Sequence, residues 1–200
     1  MNAIVDMPVL FQDQDIAFTF EVPALQDGEL LVHGFVAEEK LFELTEVEIR
    51  IVSDDPKIDL NALLDTPATL TIHHKYVGIR HFSGIISDFE RDDEGFHRTL
   101  YTVTFLPMLA RLELGSDCRI FQQKSVPDII KQVLKERGIE DVQWHIAGEH
   151  LAREFCVQYR ETHLAFIKRI AADEGIWFYF THGENGQHTL HFIDMPQIVA

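Results

Sequence analysis

Histidine is the residue type in this chain with the most capacity for chemistry, since neutral imidazole binds metals and exchanges protons near neutral pH. The 200 residues include 11 histidines. His73 and His74 are neighbours in a predicted strand, so their side chains point to opposite faces. His188 and His191 stand three apart in another predicted strand and also face opposite ways. Neither pair can chelate one ion, so we expect no metal site. His182, at a predicted turn, and the other histidines should be solvated or hydrogen-bonded at the surface.

The carboxylates form two sequence clusters, and these would be the natural source of general acid–base chemistry. Asp54 and Asp55 form one cluster, and Asp92 to Glu94 lies in a predicted loop over Arg91–Gly95. Carboxylates at loop tips are usually solvated, whereas catalysis needs a cleft and a shifted pKa. An enzyme with a carboxylate pair is therefore an alternative, but no pair stands out. The sequence also lacks a Gly-rich phosphate loop and the G-x-S-x-G, H-E-x-x-H and C-x-x-C motifs. We predict that the chain is not an enzyme and has no catalytic, cofactor-binding or metal residues.

A run of four aromatic residues, Trp177 to Phe180, could form a stacking platform for a sugar or a base. Strand alternation would place Trp177 and Tyr179 on one face and Phe178 and Phe180 on the other. Burial of both faces, against a helix and a neighbouring subunit, explains such a strand equally well. A carbohydrate-binding β-barrel module is therefore an alternative function.

Charge dominates the composition of this 23.1 kDa chain. There are 33 acidic and 17 basic side chains, which gives a formal net charge of -16. Such a surface repels phosphate, so we expect no nucleic-acid partner and no anionic membrane surface. An acidic surface favours either simple solubility or a basic protein partner.

The sequence shows no sign of a disulfide framework, a membrane span or a signal peptide. Cys118 and Cys156 are too few for a disulfide scaffold, and both are expected to be buried, reduced thiols, with a single bridge or a reactive thiol as the alternatives. No apolar run reaches the roughly 18 residues that a membrane span needs. The opening residues, MNAIVDMPVL, lack the basic and apolar regions of a signal peptide.

The first half of the chain consists mainly of predicted strands. Between Thr45 and Val52, aliphatic residues alternate with charged ones, which predicts a strand with one buried face. Asp59 is a plausible N-cap for a short helix over Leu60–Leu64. Six or seven strands with one small helix favour a closed or nearly closed barrel, with a sandwich as the alternative. The other predicted strands are Ala17–Val22, Leu30–Ala37, Ala68–His74, Phe82–Glu90, Arg98–Phe105 and Asp117–Gln122.

The second half predicts a small α+β domain. Ser125 and Thr162 are N-caps for two amphipathic helices, which end near Gly138 and Gly175. A strand over Glu154–Tyr159 precedes the second helix. A hairpin follows, with strands Ile176–Phe180 and His188–Ile193 around the turn Gly183–Gly186, where Asn185-Gly186 is the turn signal. We therefore expect mainly β structure: a β-barrel over residues 1–112 and an α+β domain with two helices and a β-hairpin over residues 113–200.

Residues 153–180, REFCVQYRETHLAFIKRIAADEGIWFYF, carry an ordered pattern of strand, V-Q-Y-x-E-[ST], helix with F-x-x-R, and E-G before an aromatic strand. This pattern resembles the signature of the VgrG family, the spike proteins of type VI secretion systems. Three further stretches resemble the same family: Phe82–Ile86, Tyr101–Leu112 and Arg119–Ile130. The matching signature residues are Val157, Gln158, Tyr159, Glu161, Thr162, Phe166, Arg169, Glu174 and Gly175.

The resemblance implies a structural hub that is similar to phage tail tube and hub proteins and has no cofactor. It implies a homotrimer in the full-length protein, placed as an adaptor between a hexameric Hcp-type tube ring and the puncturing spike. A C-terminal part that this chain lacks would carry the spike-tip protein and effectors. Assembly would take place in the cytoplasm, followed by export without a signal peptide into the extracellular space or a target cell. The hub of a phage tail is the closest alternative.

Two positions depart from the family pattern. His163 stands where the family usually has Asp, so the start of the second helix should be slightly weaker. Met108 stands where an aromatic residue is frequent. Family proteins are also much longer, so the chain, which ends at Ala200, looks truncated before a second barrel.

Overall fold

The computed structural model describes residues 15–25, 30–94, 98–184 and 186–195. The segment MNAIVDMPVL, Asn185 of the predicted turn and Ala200 lie outside these ranges. The chain divides into two compact units. Unit 1 contains the described residues up to Lys40, Thr45–Pro107 and His182–His188. Unit 2 contains Leu41–Leu44, Met108–Thr181 and the described residues from Thr189 onward.

Unit 1 is built on one six-stranded sheet, in the order β1-β4-β5-β6-β3-β2, with every neighbouring pair antiparallel. The sheet is a curled half-barrel, which confirms the predicted mainly β fold class and excludes the sandwich alternative. β1 and β2 are its two edge strands. The strands are β1 (Ile16–Glu21), β2 (Leu31–Glu38), β3 (Glu46–Ser53), β4 (Pro67–His74), β5 (Gly78–Glu94) and β6 (Thr99–Leu106).

The alternating residues of β3 explain how this sheet forms its core. Val47, Ile49 and Ile51 are buried while the charged residues between them are exposed. Across β6, Tyr101 and Phe105 are buried in the same cluster. Each such side chain contributes about 1.5–3 kcal/mol on burial, so a register slip that exposed this row would be strongly opposed.

The close approach of β5 to β6 explains why a glycine stands at position 84, within the stretch Phe82–Ile86. A Cβ atom at Gly84 would collide with the carbonyl oxygen of Leu106 on β6. Glycine therefore permits the close pairing of β5 with β6 at this point.

Two expectations for unit 1 are wrong. β5 continues to Glu94, so most of the predicted loop over Arg91–Gly95 is strand, and its last residue lies outside the described ranges. Pairing with β6 overrides the loop-like composition, and the Asp92 carboxylate accepts a 2.6 Å hydrogen bond from Thr102. The predicted strand at Asp117–Gln122 belongs to unit 2 and does not form a seventh strand of this sheet. Helix α1 (Leu60–Leu63) begins at Asp59 as predicted.

Unit 2 combines two helices with two small sheets. β7 (Ser116–Lys124) and β9 (Arg153–Thr162) form an antiparallel pair, and a second sheet has the order β10-β11-β8. Its strands are β8 (Val142–His145), β10 (Trp177–His182) and β11 (His188–Ile193), and β8 runs parallel to β11. The last residue of β10 and the first residue of β11 belong to unit 1. The helices are α2 (Val126–Glu136) and α3 (His163–Asp173). A 3-10 helix over Met108–Glu113 precedes β7.

Local capping fixes the helix ends that the sequence predicts. Ser125 accepts a hydrogen bond from the Asp128 amide, and Thr162 accepts one from the Ala165 amide. Gly138 and Gly175 follow the helices with φ of 71° and 67°, a backbone conformation that favours glycine. β8 and the 3-10 helix were not predicted, because segments this short carry too few residues for a periodic pattern.

His182 in unit 1 is buried, which contradicts the surface position expected for it. Its side chain is only 4% exposed, and its Nδ1 lies 2.9 Å from the carbonyl oxygen of Ser83. Burial lowers the pKa of His182 to about 4, and His188 and Arg80 also disfavour its protonation. Glu39, with its carboxylate 3.7 Å from Nε2, is the acidic group that faces it. The imidazole is therefore neutral in the folded protein at pH 7.

We expect unit 1 to lose stability as the pH falls from about 6.5 towards 4, because the unfolded chain binds a proton at this histidine before the folded chain does. At the acid end the loss reaches about 3 kcal/mol. Urea unfolding at pH 7 and pH 5 should show a smaller pH dependence in His182→Gln than in the unchanged protein. His33→Gln, at an exposed position of β2, is the matched control. Equal pH dependence in all three proteins would contradict the assignment.

Candidate interaction surface

The nine signature residues lie on β9, on α3 and at the turn after α3. The alternation of β9 divides them into two sets. Gln158 points inward and is fully buried, whereas Val157 and Tyr159 point outward and are exposed. The inward and helical residues hold the unit together, and the outward residues form a surface.

The buried side chain of Gln158 contacts His163, which is one of the two residues that depart from the family pattern. His163 is buried rather than solvated, and its Nδ1 lies 3.2 Å from the side-chain nitrogen of Gln158. Its Nε2 lies 2.6 Å from the Arg137 guanidinium. Burial and then Arg137 lower the pKa of His163, because a protonated ring would face a second cation. His163 therefore bridges three segments of unit 2 as a neutral ring.

Glu161 and Arg169 form a two-pronged ion pair between the end of β9 and α3. The Arg169 guanidinium donates to both carboxylate oxygens of Glu161, at 2.5 and 3.1 Å. It also donates to the carbonyl oxygen of Val157 at 3.0 Å. The hydrogen bonds from Arg169 to the Glu161 carboxylate lower the pKa of Glu161. Phe166, on the same helix, is buried and stacks on Phe121 of β7 with ring centroids 5.5 Å apart.

Glu174 anchors the chain after α3. Its carboxylate accepts hydrogen bonds from Arg153 at 2.7 Å and contacts Nδ1 of His150 at 3.1 Å. The hydrogen bond from Arg153 is the largest cause of the lowered pKa of Glu174. On its other side, His150 lies 3.4 Å from the Asp194 carboxylate. The E-G pair thus joins the end of α3 to β9 and to the end of β11.

The variable position of V-Q-Y-x-E is a β-bulge. Asp117 pairs with Glu161 and Cys118 pairs with Tyr159, which leaves Arg160 as an extra residue with φ of 51°. The bulge shifts the alternation by one residue. It therefore lets Tyr159 face outward while Glu161, two residues later, reaches α3.

The outward side of β7 and β9 carries a continuous set of apolar side chains, here termed the apolar face. Cross-strand neighbours on it are Ile120 with Val157, Cys118 with Tyr159, and Gln122 with Phe155. The exposed fractions are 63% for Ile120, 56% for Phe155, 45% for Val157 and 64% for Tyr159. A contiguous patch of large exposed apolar residues is typical of a protein-interaction surface.

Cys118 is exposed on this face, so its expected burial is wrong. Cys156 is buried as expected, and burial raises the pKa of its thiol. The exposed position of Cys118 follows from the outward alternation of β7, which its apolar neighbours in the sequence did not indicate.

The predicted division of the aromatic run is visible in unit 2. Phe178 is fully buried, whereas Trp177 is 40% exposed and makes an edge-to-face contact with Phe42. Over the described residues, no group of three or more His, Cys, Asp or Glu side chains is arranged to hold a metal ion. None of the described helices is long and apolar enough to cross a membrane.

Comparison with known proteins identifies relatives of this chain. Residues 38–199 match the family model of the phage tail baseplate hub (GPD). Two Vibrio cholerae proteins match over 90% of this chain: the actin cross-linking toxin VgrG1 at 35% identity and the type VI secretion system spike protein VgrG3 at 38% identity. The chain spans only 17% and 18% of the length of these relatives.

A solved structure has the same fold. The E. coli c3393 protein, described as a component of the type VI secretion system with structural similarity to the T4 bacteriophage tail proteins gp27 and gp5, superposes with a TM-score of 0.82. Its sequence is 25% identical, and the match covers 90% of this chain and 50% of that chain. The predicted VgrG resemblance is confirmed.

We expect the Glu161–Arg169 pair to contribute about 1 kcal/mol to stability, because its hydrogen bonds are charge-assisted but the pair is partly solvated. A double-mutant cycle with Glu161→Gln and Arg169→Met, followed by urea unfolding at pH 7, measures the coupling. The coupling should vanish as the pH falls through the lowered pKa of Glu161. Arg50→Met, at an exposed position of β3, should change stability by less than about 0.5 kcal/mol. Zero coupling at pH 7 would contradict a structural role for the pair.

The bulge predicts an unusual response to substitution. Arg160→Val should destabilise the protein by about 1–3 kcal/mol, whereas Arg160→Gly should be neutral or stabilising, because glycine tolerates positive φ. At the exposed strand position Glu154 the order should reverse, with glycine the poorer residue. Thermal unfolding of the four variants compares the two positions. The same order at both would show that the bulge is not a constraint.

Proposed function

The chain belongs to the phage tail baseplate hub (GPD) family, and on that premise we propose that it is the hub region of a type VI secretion spike. Its similarity to VgrG3 of Vibrio cholerae over 90% of the chain supports type VI secretion more strongly than a phage tail. The role is structural: the region connects other proteins of the injection machine and does not itself catalyse a reaction. The cross-linking activity in the name of VgrG1 belongs to that much longer protein.

The apolar face of β7 and β9 is the observation that carries this proposal. Four large apolar side chains, one on β7 and three on β9, lie on this face and are about half exposed or more. Covering the exposed part of each contributes about 1 kcal/mol. A ligand-binding module would instead need a concave site with convergent polar groups. A flat apolar face suits contact with another protein surface in an assembly.

Several finer features of the proposal come from the family resemblance. We propose a homotrimer in the full-length protein and contact with a hexameric Hcp-type tube ring. We also propose that spike-tip protein and effectors attach through other parts of the full-length chain. Assembly takes place in the cytoplasm, and the spike then leaves the cell. The acidic composition favours basic surfaces on these partners.

We further propose a division into a first hub barrel, residues 1–112, and a small hub α+β domain, residues 113–200. The separate cores of the two compact units support this division. In the compact units, the segments Leu41–Leu44 and Met108–Leu112 go with the α+β part, and His182–His188 goes with the barrel.

The test places a charge on the apolar face. Tyr159→Lys, introduced into the full-length gene in the source bacterium, should abolish release of the tube protein into the medium, because a lysine there cannot be buried against an apolar partner. Tyr76→Lys, on a side chain that is 72% exposed in unit 1, is the matched control and should leave release intact.

Circular dichroism of both purified variants must show unchanged unfolding temperatures, since position 159 is exposed. Normal release of tube protein from the Tyr159→Lys strain would contradict the role of the face. Unchanged release after deletion of the whole gene, with loss of phage particles instead, would replace type VI secretion by a phage tail hub.

A further inference from the structure

A second surface of unit 2, separate from the apolar face, has the form of a binding groove. It lies between the C-terminal half of α2 and β8 and has a volume of about 310 Å³. Leu134, Ile139, Val142 and Trp144 form its apolar lining. These four residues belong to or pack against the core of unit 2, so the groove has a fixed floor.

The strand that lines one side of the groove, β8, is an edge strand of its sheet. In the described sheet, with the order β10-β11-β8, β8 has a neighbouring strand on one side only. β8 is a short strand of four residues, Val142–His145, and its alternation points Val142 and Trp144 towards the helix side. An open edge beside a helix can accept an extended peptide as an additional strand, with the helix covering one face of that peptide.

The charges at the groove favour an acidic segment. Lys131 and Lys135 line it from α2, and the Lys131 ammonium lies 4.9 Å from the centre of the Trp144 ring. Glu140 is the one acidic residue of the lining. Glu136, also on α2, is held by Arg119 at 2.6 Å, which together with Gln132 lowers its pKa to about 2. Two lysines in an apolar groove thus stand out in a chain with a net charge of -16.

We propose that this groove binds an extended acidic segment of another protein by strand addition to β8. The backbone of the segment pairs with the β8 edge, and alternate apolar side chains enter the space between Trp144 and Leu134. Carboxylates of the segment face Lys131 and Lys135. The proposal concerns a different surface from the apolar face and does not depend on the hub role.

Trp144 provides a direct readout of binding. The chain has two tryptophans, so Trp177→Phe leaves Trp144 as the only indole. The probe is the peptide acetyl-Glu-Val-Asp-Val-Glu-Val-amide, titrated into this single-tryptophan protein while its fluorescence is followed. We expect a saturable change in Trp144 emission that weakens as salt is raised from 50 to 500 mM, because screening reduces the attraction between exposed charges.

Charge-reversed protein variants and control peptides test whether binding occurs by strand addition and by charge attraction. Lys131→Glu and Lys135→Glu should each weaken binding about fivefold, whereas Lys57→Glu, at an exposed position of unit 1, should have no effect. The peptide in which Lys replaces each acid should not bind. Two isomers of the peptide, N-methylated on one or the other alternate set of amides, should differ: the isomer whose methyl groups face β8 cannot pair with that edge and should lose binding.

Three results would overturn the proposal. These are no fluorescence change up to 1 mM peptide, equal binding of the acidic and lysine peptides, and full binding by both N-methylated isomers. Binding of free glutamate as tightly as the hexapeptide would show a small-anion site instead of a strand-addition groove. Concentration-dependent self-association that competes with the peptide would show that the occupant is a second copy of the chain.

Discussion

The two-stranded sheet of β7 and β9 can bury only one of its faces within unit 2, and much of the structure depends on this constraint. A two-stranded sheet alone is marginally stable in water, so it needs a core on one side. Phe121 and Cys156 supply inward side chains, and the stacking of Phe121 on Phe166 ties the sheet to α3. The other face remains apolar and exposed. The buried face therefore stabilises the fold, while the exposed face is available for binding another protein.

Polar contacts maintain that arrangement where apolar packing cannot. The bulge at Arg160 changes the direction of β9 just before α3 begins, and the pair of Glu161 with Arg169 fixes the strand end to the helix. Gln158, buried beneath the sheet, reaches the neutral ring of His163. The family signature therefore describes a strand-to-helix junction, whose outward residues are free to contact a partner.

The excess of acidic residues affects which partners each surface can bind. Acidic residues outnumber basic ones almost two to one, so a groove that is lined by two lysines is distinctive. The apolar face presents four large apolar side chains, whereas the groove beside β8 carries two lysines. The two surfaces therefore suit partners of different chemistry, and one chain can contact both without competition for the same side chains.

The sequence alone determined most of the elements, because their signals are local. Alternation in β3, the caps Ser125 and Thr162, and the glycines at 138 and 175 depend on neighbours within a few residues. The ordered signature is also sufficient to indicate the family. Short β8 and the extension of β5 to Glu94 were missed, since their strand state depends on pairing with distant partners.

Only the tertiary structure decided which side chains are buried and which surfaces are left open. Two histidines expected at the surface, His163 and His182, are buried because segments distant in sequence close over them. Cys118, expected inside, is exposed because the alternation of β7 places it on the outward face of the sheet. Burial is a property of the assembled neighbours of a residue, and those neighbours cannot be read from the pattern of a single segment.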